Sequence, residues 1–407
     1  MEIVANIDLQ NTGVAYKNLS TMKLRKAWYL FKVMSYPKLV HLGGVLFEKS
    51  LSFGLPISWI LKRSLFGHFC GGEDLSECLS NTKTLEKHGI ATALHYAVEA
   101  SGSDSEFEEN TLKTIEIIES KRVKLEGTPY PFCVIKLTGI VAFSLLEKLQ
   151  AREPLAFHEE QDYLRFKRRL ERICSAALEF NCSVLIDAEE SWIQDEIEKV
   201  CIEMMSHFNK QRAVVYTTIQ MYRKNRLAFL ESCIDLAKSK GIILGVKLVR
   251  GAYMEKERER AKFLTIESPI CDTKLETDQQ FDQALELCLQ EPEFCALFLG
   301  THNENSVQKF CQLKSKRNPH RFGRGQAVVA QLLGMGDHIT YNLAYLGHDV
   351  CKYVPFAPVP KLIPFLIRRA RENTAVLGES SRELRLIEQE LNKRKTNNQL
   401  ARSYTGA

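Results

Sequence analysis

The chain predicts an α/β fold of the closed (βα)8 barrel type, and three observations predict it. From Gly89 onward, short apolar runs alternate with longer amphipathic ones. That alternation is the pattern of parallel strands joined by right-handed helical crossovers. The apolar runs number eight, which is the count that closes a barrel. Finally, an open doubly wound sheet often carries a glycine-rich phosphate turn after its first strand. No G-x-G-x-x-G occurs here, and Gly323-Arg324-Gly325 is a lone G-x-G.

Taken in order, residues 1–88 read as an N-terminal helical segment. Leu24 to Met34 is amphipathic, with Trp28, Leu30 and Phe31. Gly71-Gly72 marks a break, and Asp74 to His88 reads as a helix that ends at Gly89. The barrel is expected over residues 89–378. Its strands are read at Ala91–Tyr96, Cys133–Leu137, Val184–Asp187, Ala213–Thr217, Ile242–Val249, Ala296–Gly300, Ala327–Gln331 and Val350–Val354. Amphipathic stretches lie between them, among them Tyr163–Phe180, Trp192–Asn209, Asn225–Lys240 and Phe281–Leu289. Residues 379–407 read as one more helix, Ser381 to Asn392, followed by a frayed basic tail from Lys393.

The stretch Val350 to Gly378 is the most informative. A strand runs to Val354, the chain breaks at Pro355 and Pro358, and a helix starts between Pro360 and Pro364. Phe365, Leu366 and Ile367 are followed by Arg368 and Arg369, then by Glu372 and Asn373. Two adjacent guanidiniums beside an apolar run need water or an anion. Their planar forks suit a carboxylate. In isolation such a pair is more often a solvated helix face; the strand, break and helix around it make the clamp worth carrying.

Composition narrows the classes. The 407 residues are 45% apolar and 26% charged, a globular balance. The net charge of +5 is spread through the chain, without the basic block a nucleic-acid protein shows. Twelve cysteines include no C-x-x-C pair, so zinc ligation has no support, and buried free thiols in a reducing compartment are expected. Glu2 and Asp8 near the start replace the basic region of a secretory signal. No run reaches the roughly 18 apolar residues of a membrane span. The expectation is a cytoplasmic protein, with any membrane contact peripheral and on the inner face of the cell membrane.

In a barrel of this kind, chemistry sits where strands exit into the following loops. Those exits carry Glu99 after strand one and Lys136 on strand two. Asp187, Glu189 and Glu190 follow strand three, and Gln220 follows strand four. Strand five holds Lys247, then Arg250, Gly251 and Tyr253. Strand six ends in Thr301-His302-Asn303 and strand seven in Gln331. Any one of these has a plain explanation, such as a helix cap or a surface ion pair. Polar groups from seven exits on one rim are harder to dismiss.

The chain resembles the proline dehydrogenase family. The stretch Gly245-Val-Lys-Leu-Val-Arg-Gly-Ala-Tyr253 and its continuation Met254 to Arg258 carry the resemblance most specifically. Lys352-Tyr-Val-Pro-Phe-Ala-Pro-Val359 through Leu366-Ile-Arg-Arg-Ala-Arg-Glu-Asn373 carries it next. Weaker matches are Ile186 to Glu190, Thr301 to Asn303 and Gln331 to Gly336. Together they span about Glu99 to Gly378, and neither the N-terminal helices nor the tail is covered. The resemblance implies a distorted (βα)8 barrel. The implied reaction is the oxidation of L-proline to Δ1-pyrroline-5-carboxylate, with hydride passing to FAD and electrons then to a quinone.

Roles follow from the same resemblance. Lys136, Asp187 and Tyr253 would be the catalytic group. Arg368 and Arg369 would clamp the substrate carboxylate with Lys136 as a third cation, and Asp187 would help position Lys136. Leu248, Ala252, Phe356 and Phe365 would shape the substrate pocket, and Glu99 would sit near the arginine helix as a gate partner. Gln220, Lys247, Val249, Gly251, Thr301, His302, Gln331 and Glu372 would hold FAD. No metal is implied. Two departures concern the substrate wall: Phe356 and Phe365 stand where the family commonly has Tyr. The third is Lys247, where many bacterial members have Arg, and it bears on flavin tuning.

Two other activities compete. On the same fold, 4-hydroxyproline is a rival substrate. From another class, a barrel lyase could use Lys136 or Lys247 as a Schiff-base nucleophile; colour separates it, because that chemistry needs no flavin. A third reading, a barrel that binds an anion without catalysis, explains less of the rim.

Overall fold

A computed structural model describes residues 7–36, 38, 65–98, 102–121, 130–317, 321–362, 366 and 379–405. Eight parallel strands close a barrel in sequence order. They are β1 (Ile90–Tyr96), β2 (Phe132–Ile135), β3 (Ser183–Ile186), β4 (Val215–Gln220), β5 (Leu244–Val249), β6 (Cys295–Gly300), β7 (Ala327–Leu332) and β8 (Val350–Phe356). All eight apolar runs are therefore strands. Parallel strands buried on both faces read as nearly continuous apolar segments, which is why they were visible.

Helices longer than two turns are numbered here. They are α1 (Thr21–Met34), α2 (Leu75–Lys87), α3 (Asp104–Ser120), α4 (Phe143–Ala151), α5 (Phe157–Glu179), α6 (Ser191–Phe208), α7 (Arg226–Lys240), α8 (Met254–Leu264), α9 (Lys274–Gln290), α10 (Glu304–Lys316), α11 (Asp337–Tyr345) and α12 (Glu379–Thr405). Local chemistry sets their starts. The Asp74 carboxylate accepts from Glu77 N, and Ser103 forms a reciprocal capping box with Glu106.

The chain gathers into two compact units. One takes in Ala91–Ala330 and Asp349–Cys351; the other takes in Asp8–Ile90, Gln331–His348 and Lys352–Ala407. In the first, Phe132 meets Phe298 and Tyr216 edge to face, with ring centroids 5.0 and 6.1 Å apart. Tyr216 pairs in register with Gly245 on β5. A Cβ on Gly245 would lie 2.3 Å from Val215 O and 2.8 Å from the Tyr216 ring, so the close approach requires glycine. In the second unit, Leu24, Ala27 and Phe31 of α1 pack with Leu386 and Ile387 of α12. The Trp28 indole donates to Glu388 across 2.9 Å, and Arg394 donates to the carbonyls of Tyr16 and Leu19, each across 2.7 Å.

Two expectations are corrected. Strand eight does not end before Pro355: β8 continues through Phe356. Proline is admitted where its missing N–H has no ladder partner, and the Pro355 carbonyl accepts from Gly71 N across 2.9 Å. Nor is the segment after Lys393 a frayed tail, because α12 continues to Thr405. No glycine or proline interrupts it before Gly406, and helix formers with an anchored arginine carry it onward. The helix after β8 is in place from Val359 to Leu362. All twelve cysteines are free and buried.

Candidate active site at the strand ends

At the strand ends of the first unit, Asp187 pairs with Lys247 and Lys136 with Tyr253, while Gln220 is bonded to the Glu189 carbonyl. Lys136 and Asp187 are each the first residue beyond their strands, and Gln220 is the last residue of β4. Lys247 lies inside β5 and is 7% exposed. Side chains alternate across a strand. Lys247 and Val249 therefore share one face of β5, and the fully buried Leu248 occupies the other.

Asp187 and Lys247 form an ion pair that draws β3 and β5 together. Burial works to raise the Asp187 carboxyl. The Lys247 ammonium, His95, the hydrogen bond from Lys247 and the charge of Lys136 outweigh it, so the group is held below its ordinary value. Lys136 Nζ donates to Tyr253 Oη across 3.1 Å and sits 5.8 Å from that ring's centroid. Lys247 is thus a direct partner of Asp187, and Lys136 acts on the same carboxylate through charge.

Glu189 ties this rim together. Its carboxylate accepts from Thr138 N (3.1 Å) and Thr138 Oγ1 (2.6 Å). Its backbone N donates to Gln194, and its carbonyl accepts from Gln220 Nε2 across 3.1 Å. Burial pushes the Glu189 carboxyl up, against the charge of Lys136 and the Thr138 hydrogen bonds. Gln220 is buried, and its Oε1 has no hydrogen-bond partner. A buried acceptor left open costs free energy. A ligand with an N–H or O–H donor at the end of β4 would satisfy it.

The turn after β5 is fixed from several directions. Gly251 has φ +130°, and a Cβ there would lie 2.3 Å from the Tyr222 ring. Tyr222 N donates to Arg250 O across 2.7 Å. Arg250 stacks over Phe281 at 4.2 Å and donates to Asp278 (2.6 Å), Thr301 Oγ1 (3.2 Å) and Ser306 Oγ (3.0 Å). Glu257 of α8, 1% exposed, accepts from Ser191 N and Oγ at 2.7 and 2.6 Å, and Lys256 pairs with Glu190. Tyr253 is half-buried at the start of α8, and Ala252 is exposed.

Thr301 and His302 follow β6, and Thr301 N donates to Ala330 O across 3.1 Å. In the second unit, Gln331 is buried within β7 and its Oε1 accepts from Thr340 Oγ1 across 2.7 Å. Phe356, the last residue of β8, is fully buried. Glu99, Phe365, Arg368, Arg369 and Glu372 lie outside the described residues. Sequence reasoning did not pick Glu189, Arg250 or Glu257 as site-forming, although Glu189 and Arg250 stood among the strand-end residues. A charged residue next to a strand exit was the signal for Glu189 and Arg250; Glu257 lies inside α8 and carried no such signal.

Comparison with known proteins gives the family. The family model described as proline dehydrogenase matches residues 78–382. A carbapenem antibiotics biosynthesis protein, CarD, of Pectobacterium carotovorum is 33% identical over 80% of this chain and 83% of its own. Mitochondrial proline dehydrogenase 1 of Dictyostelium discoideum is 31% identical over 86% of this chain and 68% of its own. Hydroxyproline dehydrogenase of Xenopus laevis is 28% identical over 94% and 89%. Among solved structures, proline utilization A of Bdellovibrio bacteriovorus, inactivated by N-propargylglycine, superposes with a TM-score of 0.67 at 20% identity. That match covers 76% of this chain and 33% of the larger protein, so the likeness speaks to the barrel fold.

Proposed function

The chain belongs to the proline dehydrogenase family and is an oxidoreductase that acts on proline, and we propose that it oxidises L-proline to Δ1-pyrroline-5-carboxylate with FAD as cofactor and a quinone as final acceptor. The observation that carries the cofactor reading is the buried, partnerless Gln220 Oε1 beside the Asp187–Lys247 pair. Such a set suits a polar heterocycle lying on the strand ends. Bound FAD would supply the hydride acceptor; the protein supplies binding, orientation and charge.

Gln220, Lys247, Val249, Gly251, Thr301, His302, Gln331 and Glu372 are the residues proposed to hold the cofactor. Lys247 offers positive charge there, kept in place by Asp187. On the substrate side, proline is a zwitterion whose reacting C–H adjoins nitrogen. Its carboxylate has to be gripped so that this carbon is presented at near-attack distance. Lys136 is proposed as one cation for that grip, oriented by Tyr253 Oη. Arg368 and Arg369 are proposed as carboxylate ligands as well. Apolar side chains, Leu248, Ala252, Phe356 and Phe365 among them, are proposed to shape the ring pocket, and Glu99 to act as a gate partner.

A quinone dissolved in lipid implies peripheral contact with a membrane from the cytoplasmic side. Among the described residues, no helix is long and apolar enough to cross one. The experiment that tests the cofactor reading is release of the bound group by denaturation and its identification. Non-covalently bound FAD is expected. A protein that stays colourless after FAD is added contradicts the reading.

A further inference from the structure

Helix α1 carries two apolar stripes on opposite sides, and among the described residues only one is covered. Leu24, Ala27, Phe31 and Met34 are buried, and the first three pack on α12. On the other side, Met22, Tyr29, Val33 and the following Tyr36 are 70, 65, 53 and 50% exposed. Their spacings of seven, four and three place them on one line of a 3.6-residue helix. Tyr36 continues that line because its N donates to Val33 O across 3.1 Å. A surface helix of a globular protein ordinarily shows polar residues there.

The charge around the stripe has one sign. Arg25 and Lys32 flank it on one side, and Lys26 and Lys23 on the other, by the same helical geometry. Between Thr12 and Lys38 the sequence has Lys17, Lys23, Arg25, Lys26, Lys32 and Lys38 and no aspartate or glutamate. An apolar line bordered by cations, with two tyrosines in it, matches the requirements of a helix lying in the headgroup region. A second copy of this chain is a poor occupant. Interface cores are depleted in lysine, and the flanking cations would face one another.

We propose that this face of α1 is the docking surface for an anionic lipid bilayer. Met22, Tyr29, Val33 and Tyr36 enter the interfacial layer, and Lys23, Arg25, Lys26 and Lys32 contact lipid phosphates. The inference rests on the reading that electrons leave for a quinone held in lipid, and it names the surface that brings the enzyme there.

The test uses the full-length protein with vesicles of phosphatidylcholine alone or mixed with phosphatidylglycerol. The double variants are Arg25→Glu with Lys26→Glu, and Tyr29→Ser with Val33→Ser. Wild type is expected to partition at least about tenfold more onto the anionic vesicles at low salt, and to leave them at high salt. Each double variant is expected to lose about tenfold or more of that partition. Proline oxidation measured with a soluble dye acceptor is expected to stay unchanged, since these side chains face away from the packed side of α1. Equal partition onto both vesicle types, or variants that bind like wild type, overturns the proposal. Variants that change the sedimentation mass without vesicles also overturn it, in favour of a second copy. Absence of dye-linked proline oxidation in wild type would fail the enzymatic reading instead, and the vesicle result would still stand on its own.

Discussion

Lys136 Nζ donates to Tyr253 Oη across 3.1 Å, joining the exit of β2 to the turn that follows β5. These residues lie 117 positions apart in sequence, and the contact ties the exit of β2 to the stretch that carries the family resemblance most specifically. It sets the direction of the ammonium proposed to receive the substrate carboxylate.

Tyr253→Phe removes this acceptor and leaves the ring. A hydrogen bond to a charged group contributes about 1.5–3 kcal/mol. The expected outcome is a fall of roughly tenfold to a hundredfold in kcat/KM for proline, with flavin content near wild type. Steady-state kinetics beside the flavin-to-protein ratio check it. Equal loss of flavin and activity would move Tyr253 into cofactor binding.

Asp187→Asn removes the carboxylate charge that pairs with Lys247. Loss of one member of a buried pair costs roughly 1–3 kcal/mol or more, so a lower melting temperature at neutral pH is expected. The sign of the pH dependence follows from the depressed Asp187 carboxyl. Its stabilisation is fully present above the unfolded carboxylate value of about 3.9. It is lost as pH falls through the lower folded value. Wild type should therefore lose stability on acidification in that window, and the Asn variant should lack this part of the dependence. Parallel melting curves of wild type and variant from neutral to acid pH would contradict the assignment.

Gly251→Ala puts a methyl group into the Tyr222 ring at a backbone angle that side chains rarely adopt. Strain of about 1–3 kcal/mol is expected from the backbone alone, and overpacking adds to it. Denaturant unfolding and proline kinetics should both deteriorate. Wild-type stability would mean that the turn relaxes freely and does not hold Tyr253.

Much of the fold was legible because each buried strand is a local apolar signal. The eight runs, the Asp74 cap and the approximate helix positions needed no long-range information. What escaped depends on closure of the barrel. The Thr138–Glu189 and Ser191–Glu257 hydrogen bonds join residues 51 and 66 positions apart, and no periodicity announces them. Val350–Val354 was read short because Pro355 normally ends a strand. The last helix was read short because Lys393 to Thr405 lacks an apolar period, although nothing in it breaks a helix. At the candidate site, strand-end position singled out Lys136, Asp187, Gln220 and Lys247. Their pairing was not legible, since the partner of Asp187 is chosen by strand order and register.

Arg368→Met and Arg369→Met should each raise the KM for proline strongly with little change in flavin content. Losing one charge-assisted carboxylate contact costs about 2–5 kcal/mol when the partner charge stays buried. Unchanged proline kinetics in both variants would return the pair to a solvated helix face.

Substrate choice should favour proline over 4-hydroxyproline by about tenfold or more. Phe356 is fully buried. An apolar wall leaves the extra substrate hydroxyl unpaired, at a cost of roughly 1–3 kcal/mol. Comparing kcat/KM for the two substrates in wild type, Phe356→Tyr and Phe365→Tyr checks this. Equal rates in wild type would mean that the pocket wall is misassigned.

The central claim is that proline reduces a flavin bound at the strand ends, and an absorbance spectrum taken before and after anaerobic addition of L-proline tests it most directly. The visible flavin band should be present beforehand and should bleach on addition, with Δ1-pyrroline-5-carboxylate formed in the same amount as reduced flavin. A flavin band that persists unchanged at saturating proline would contradict the account.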